Sequence, residues 1–243
     1  TFSSRGLGDV YKRQSWDTVS NTAAFEFNPA FLSKKWDIAP LKMPIAEALN
    51  GRSVFSFPHL NPLTYKGLPG MLADSLPDTY GNKIIDAWLA QQGRTSESFN
   101  PVERLCYTGK RGMGALEFEP VLKVTSDVSE ALEVEHLLQL ARMVLNQQTQ
   151  MSGNLKTATS ESLQQIISVG TSAGGARAKA IVAFNEKSGD VRSGQIDNLR
   201  GYDYWLLKFD GIAPEALGDS AGYCKIEYAY HSMAVACGIE MTA

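Results

Sequence analysis

Apolar and polar residues alternate over Ala24-Phe-Glu-Phe-Asn28, the period-two signature of a half-buried strand. From Pro40 to Leu63 that pattern breaks. Pro44, Pro58 and Pro62 interrupt short runs such as Val54-Phe-Ser-Phe57, which predicts irregular loops with short strands. A helical period takes over at Ile84, Ile85, Trp88 and Leu89. Ser75 or Asp78 can cap this helix, with Pro77 accommodated in its first turn. Asn100-Pro101 repeats the start signal for a short helix, and Gly109 is placed to stop it in a left-handed turn. Gly114-Ala-Leu-Glu-Phe-Glu-Pro120 then alternates as a strand that ends at proline. A longer helix is predicted from Ser129 to Gln148, through Leu132, His136 or Leu137, Leu140 or Ala141, and Val144. His136 lies beside that stripe, at a flank position rather than a ligand position. The polar stretch from Asn146 to Ser160 reads as a linker, and Leu163, Ile166 and Ile167 resume helical spacing.

The next segment changes character. Ser172-Ala-Gly-Gly-Ala-Arg-Ala-Lys179 is glycine-rich and runs into a strand pattern at Ile181 and Ala183, followed by polar Asn185. Downstream, Tyr204-Trp-Leu-Leu-Lys208-Phe sets a lysine in a second apolar run. Glycine permits close approach of backbone N–H groups to phosphate oxygens, and a strand lysine can reach the same phosphates. Protein kinases build their nucleotide site this way, with a loop over the phosphates and a lysine on a neighbouring strand. Other phosphate motifs fit less well. Gly170 and Gly175 have Walker A spacing, but Ala176 and Arg177 stand where Lys and Ser/Thr belong. The adjacency of Gly174 and Gly175 excludes the dinucleotide fingerprint. Phe209-Asp210-Gly211 is a turn signal, not a scrambled metal motif. An ordinary hairpin remains the alternative for the loop, and a plain strand-end lysine for Lys208.

Loop residues 214–222 are followed by a helical period from Tyr223 to Cys237, with Ile226, Tyr230, Met233 and Ala234 on its apolar face. Glu227 on that helix is placed to meet Lys208 if the helix packs as the kinase αC element does. A solvated surface glutamate is the other reading.

Three sequence elements together resemble the HipA family: the loop Ser172–Lys179, the strand lysine Lys208, and Leu68-Pro-Gly-Met-Leu-Ala-Asp-Ser-Leu-Pro-Asp-Thr-Tyr-Gly81. The last is the most specific, since general kinase architecture does not demand it. Family members are serine/threonine kinases that act as toxins of bacterial type II toxin–antitoxin pairs. The resemblance runs from about residue 16 to the end of the chain. It implies an α+β fold: a β-rich N-terminal HipA module with helices at 15–125, a helical bridge and linker at 126–164, and a kinase-like N-lobe at 165–243. It also implies ATP bound by Ser172, Ala173, Gly174, Gly175, Ala176, Lys179 and Lys208, with Lys179 and Arg177 adding positive charge at the exit of the loop and Mg2+ as the counter-ion. Ser172 occupies the position that is autophosphorylated in the family. A phosphoserine there carries about −1.5 to −2 charges where ATP phosphates must sit, which silences the kinase. The implied partners are a HipB-like DNA-binding antitoxin, through which DNA is reached only indirectly, and a protein substrate in the tRNA-charging machinery.

Composition narrows the remaining choices. With 44% hydrophobic and 20% charged residues over 243 positions, the chain can bury a core. A net charge of −3 argues against a basic face for bare nucleic acid. Cys106, Cys224 and Cys237 have no metal or disulfide spacing, and His59, His136 and His231 are scattered. No apolar run is long enough to cross a membrane, and the expected location is cytoplasmic. Ser4-Arg-Gly-Leu-Gly-Asp-Val-Tyr-Lys-Arg-Gln14 resembles the translation of a sequencing adapter, so residues 1–14 are left out of the fold expectation; a natural basic tail is the alternative.

No His-x-x-Asp or Asp-x-x-x-x-Asn catalytic loop follows Lys208, and Asp210 and Asp219 come too soon after it. In the family it resembles, the catalytic aspartate and the magnesium ligands come from an α-helical C-lobe downstream of the strand lysine, so the expectation is a fragment truncated at both ends, with that C-lobe missing, no metal ligand or catalytic aspartate of its own, and no phosphate transfer by itself. A non-catalytic HipA-like binding or regulatory protein, and an unrelated small-molecule kinase, are the competing readings.

Overall fold

The computed structural model describes residues 2–6, 9–112, 114–122, 132, 137, 139, 141, 178–196, 199–210 and 222–242, with 2–6 and 9–14 described through their backbone. In chain order the strands are β1 (Phe2–Gly6), β2 (Asp9–Asp17), β3 (Thr22–Phe27), β4 (Val54–Phe55), β5 (Glu117–Glu119), β6 (Lys179–Phe184), β7 (Val191–Ser193) and β8 (Asp203–Lys208). The helices are α1 (Pro29–Leu32), α2 (Ile45–Leu49), α3 (Pro62–Tyr65), α4 (Gly70–Ala73), α5 (Thr79–Gln91), α6 (Pro101–Thr108) and α7 (Tyr223–Ala236). The mixture is α+β, and the chain divides into two compact units. The first comprises residues 1–77 and 92–124, the second 78–91 and 125–243.

The first unit is built on a five-stranded sheet in the order β4-β3-β2-β1-β5. Strand β3 keeps the predicted alternation, burying Ala23, Phe25 and Phe27 while Ala24 and Glu26 stay half-buried. Phe25 and Phe27 meet edge-on with ring centroids 4.8 Å apart, and Phe31 of α1 stacks on Phe27 at 5.9 Å. These are the offset and edge geometries that ring quadrupoles favour. Phe55, Phe118, Leu68, Leu72, Val102 and Leu105 complete the core. Residues 2–6 and 9–14, outside the sequence expectation for the fold, pair here as β1 and most of β2.

Local signals account for most boundaries. The Asn100 side chain accepts from the backbone of Val102 and Glu103 while the Glu103 carboxylate accepts from the Asn100 N–H, a reciprocal cap at the start of α6. Gly109 ends α6 at φ 56° and ψ −119°, a positive-φ conformation outside the left-handed helical region the sequence predicted. A Cβ there would stand 2.9 Å from Val121 Cγ1. The region 40–63 holds β4 as predicted and also α2, because Ala46, Glu47, Ala48 and Leu49 are good helix formers just after Pro44. Gly67 turns at φ +75°, and an added Cβ would come within 2.2 Å of the Asn21 carbonyl. That turn delivers Leu68 and Leu72 to the core.

In the second unit, β6 is the centre of a three-stranded sheet in the order β7-β6-β8. Ala180, Ile181, Val182 and Ala183 are all buried, so both faces of β6 are covered and the expected alternation gives way. Helix α5 belongs to this unit and buries Tyr80, Ile84, Ile85 and Leu89. Pro77 lies before its cap rather than in its first turn. Of the predicted helix at 129–148, residues 137, 139 and 141 are described and helical, with Leu137 and Ala141 buried, whereas Leu132 is not helical and its N–H donates to the Val191 carbonyl at 2.7 Å; the rest, His136 included, and the helical spacing at 163–167 lie outside the described residues.

Candidate functional site

Strands β6 and β8 run antiparallel with Lys179 directly opposite Lys208 and Ile181 opposite Leu206. Residues paired this way project from the same face of a sheet, with Cβ atoms about 4.5–5.5 Å apart. The Phe209 N–H donates to the Ala178 carbonyl at 3.1 Å, extending the ladder one residue further. The two lysines therefore share one face at one end of the sheet.

Each has its own carboxylate. The Lys208 ammonium donates to Glu227 Oε2 at 2.8 Å, across from β8 to α7, with the two side chains 42% and 46% exposed. Lys179 donates to Asp78 Oδ2 at 2.5 Å, and here the side chains are 4% and 10% exposed. Asp78 is held from the other side too, because its Oδ1 accepts the Gly81 N–H at 2.6 Å as the cap of α5. The start of a helix favours negative charge, so α5 supplies a natural seat for this carboxylate. Tyr80, next along, is fully buried; burial raises its hydroxyl above the ordinary tyrosine range, and the Asp78 charge adds to the effect.

Helix α7 is brought to Lys208 by the turn before it. Gly222 stands at φ 98°, a conformation that L side chains rarely adopt, and its N–H donates to Asp210 Oδ2 at 2.9 Å. Asp210, assigned to a turn in the sequence, thus ties the end of β8 to the start of the helix that carries Glu227. Cys224 Sγ lies 3.8 Å from the Lys208 carbonyl on the same turn of α7.

The predicted site is thus described in part. Lys208 and Glu227 come together, and Lys179 lies opposite Lys208. Ser172, Ala173, Gly174, Gly175, Ala176 and Arg177 lie outside the described residues. Lys179, expected to lend positive charge at the exit of the loop, is buried with its ammonium on Asp78. Tyr204, Trp205 and Leu206 lie on an edge strand and are about half exposed, whereas the apolar run read as a packed strand. Asp78 as the partner of Lys179 was missed: the sequence marked it only as a helix cap within the Leu68–Gly81 segment. Among the described residues no group of three or more His, Cys, Asp or Glu side chains stands where it could hold a metal ion. No described helix is long and apolar enough to cross a membrane. A separate cavity of about 370 Å3 in the first unit is lined mainly by apolar groups, Met43, Phe57, Leu60, Tyr65 and Met71 among them.

An α+β chain with a sheet-and-helix first unit and a lysine-bearing second sheet is the class these observations define. Residues 13–119 match the family model described as the HipA N-terminal domain. That match makes residues 13–119 similar to the N-terminal domain of HipA proteins, as the Leu68–Gly81 segment led the sequence to suggest. No curated protein and no solved structure matches it.

Proposed function

We propose that the protein is an ATP-dependent serine/threonine kinase toxin and that Lys208 holds the α- and β-phosphates of ATP. Glu227 orients the Lys208 ammonium, as the helix glutamate does for the strand lysine in kinases. Backbone N–H groups of Gly174, Gly175 and Ala176 receive phosphate oxygens, and part of the exposed Tyr204–Leu207 strand takes the adenine. Mg2+, when bound with ATP, offsets phosphate charge. Ser172 is the site of silencing autophosphorylation. The substrate is a protein of the tRNA-charging machinery, the partner is a HipB-like DNA-binding antitoxin, and the setting is the cytoplasm.

One observation carries this reading: a strand lysine 2.8 Å from a glutamate on the following helix, in a chain that resembles the HipA N-terminal domain over residues 13–119. The pair is exposed, and exposed ion pairs are worth about 0–1 kcal/mol, so stability alone gives little reason for it. A charged hydrogen bond to phosphate is worth about 1.5–3 kcal/mol. Lys208→Met should therefore weaken Mg-ATP binding by about tenfold or more in isothermal titration, with an unchanged melting temperature. Equal ATP affinity in the wild type and the variant, or none in either, would overturn the assignment.

A further inference from the structure

Leu68 and Leu72 are fully buried in the core of the first unit, and the three residues between them have another place. Pro69, Gly70 and Met71 line the cavity of about 370 Å3. Met43, Phe57 and Leu60 add to its apolar wall. The volume falls in the range of small-molecule sites, about 300–1,000 Å3, which are mostly apolar with a few polar groups that fix orientation.

The polar groups here are of one kind. Lys42, His59 and Tyr65 line the cavity, and no aspartate or glutamate does. Lys42 is exposed and Tyr65 half-buried; neither the ammonium nor the hydroxyl has a hydrogen-bond or ion-pair partner among the described residues. An apolar space with a cation at its wall and no acid complements a ligand that joins an apolar body to one negative charge.

We propose that this cavity is a binding site for a medium-chain aliphatic carboxylate. The chain fills the space along Met43, Leu60 and Met71, the carboxylate pairs with Lys42, and the Tyr65 hydroxyl is a second donor. Methionine side chains are unbranched and polarisable, so they reshape readily around a flexible chain. The site lies in the first unit and does not depend on the nucleotide reading of Lys208 in the second.

Titration calorimetry on the whole chain tests the chemistry, with hexanoate, octanoate and decanoate as probes and octylammonium as the matched cation. Each added CH2 should tighten Kd about fourfold. Octylammonium should bind about fivefold more weakly than octanoate or worse, and Lys42→Met should erase that preference. In Gly70→Leu the added side chain occupies the cavity. Its Cβ meets only Tyr65 Cε1, at 3.5 Å, an ordinary contact, so the fold should be kept. Decanoate should then bind about fifteenfold more weakly, as for two buried CH2 groups lost.

NMR of methyl-labelled methionine locates the ligand. Decanoate should shift the Met43 and Met71 signals and leave Met233, which is 61% exposed on α7, unchanged. Movement of Met233 instead would mean adsorption on exposed apolar surface and would overturn the proposal. So would no saturable decanoate binding at millimolar concentration, equal affinity for octanoate and octylammonium, or wild-type affinity in Gly70→Leu. Should Gly70→Leu not fold, the methionine signals of the wild type decide.

Discussion

Lys179 and Lys208 are the same residue type on adjacent strands, and burial alone separates their roles. A buried ion pair broken from one side costs about 3–5 kcal/mol, because the survivor stays charged in a poorly solvated site. Lys179→Met should therefore lower the urea-unfolding free energy by about that amount. Asp78→Asn/Lys179→Met should recover most of the loss, since it leaves no orphan charge; a double variant as unstable as the single one would contradict this. Little of this difference was legible beforehand. The letters place Lys179 beside a glycine-rich loop and Lys208 inside an apolar run, which suggested a reachable loop cation and a packed strand lysine. The fold reverses the burial: Lys179 begins a central strand covered on both faces, and Lys208 ends an edge strand.

Elements defined by short-range chemistry match their sequence signals closely. The Asn100 cap needs only residues up to Glu103, and both halves of its reciprocal bond lie within one turn. Asn100→Ala should cost about 1 kcal/mol in chemical denaturation, and Asn100→Ser much less, because serine restores an acceptor for the first-turn N–H groups. Helix α5 likewise shows its stripe at Ile84, Ile85 and Leu89, and its cap at Asp78. Helix α7 shows where such reading stops. Its period correctly marks a helix, yet Ile226, Tyr230 and Met233 on the expected apolar face are exposed. A stripe tells which side of a helix is apolar, and the periodicity contains no information about what covers it.

At the scale of the molecule, several buried acids share one consequence. Burial pushes the Cys106 thiol up to about 12, from 9.0, with the Glu103 charge adding to the rise. Burial also raises the hydroxyls of Tyr80 and Tyr107 above their ordinary value of 10.0. In each case the folded state keeps a proton that the unfolded chain releases. Stability is therefore complete below about pH 9 and falls as pH rises toward 12. Each such group contributes a slope of about 1.4 kcal/mol per pH unit within that window. Urea midpoints measured from pH 7 to 11 should decline above 9, and Cys106→Ala should flatten the first part of the decline. A constant midpoint would show that these protons are equally held in both states.

The division into units adds a second molecular-scale result, since α5 belongs with 125–243 although residues on both sides of it belong to the first unit. By itself, the sequence determined the α+β mixture, the capped helices α5 and α6, the alternating strand β3, and the segments that resemble the HipA family. These follow from steric preference and periodicity among residues a few positions apart. The tertiary structure alone decided that Asp78 meets Lys179 across 101 positions, that Lys179 lies opposite Lys208, and which of the two lysines faces water. Such pairings depend on the summed path of the chain between distant residues, and no local pattern of side chains encodes that sum.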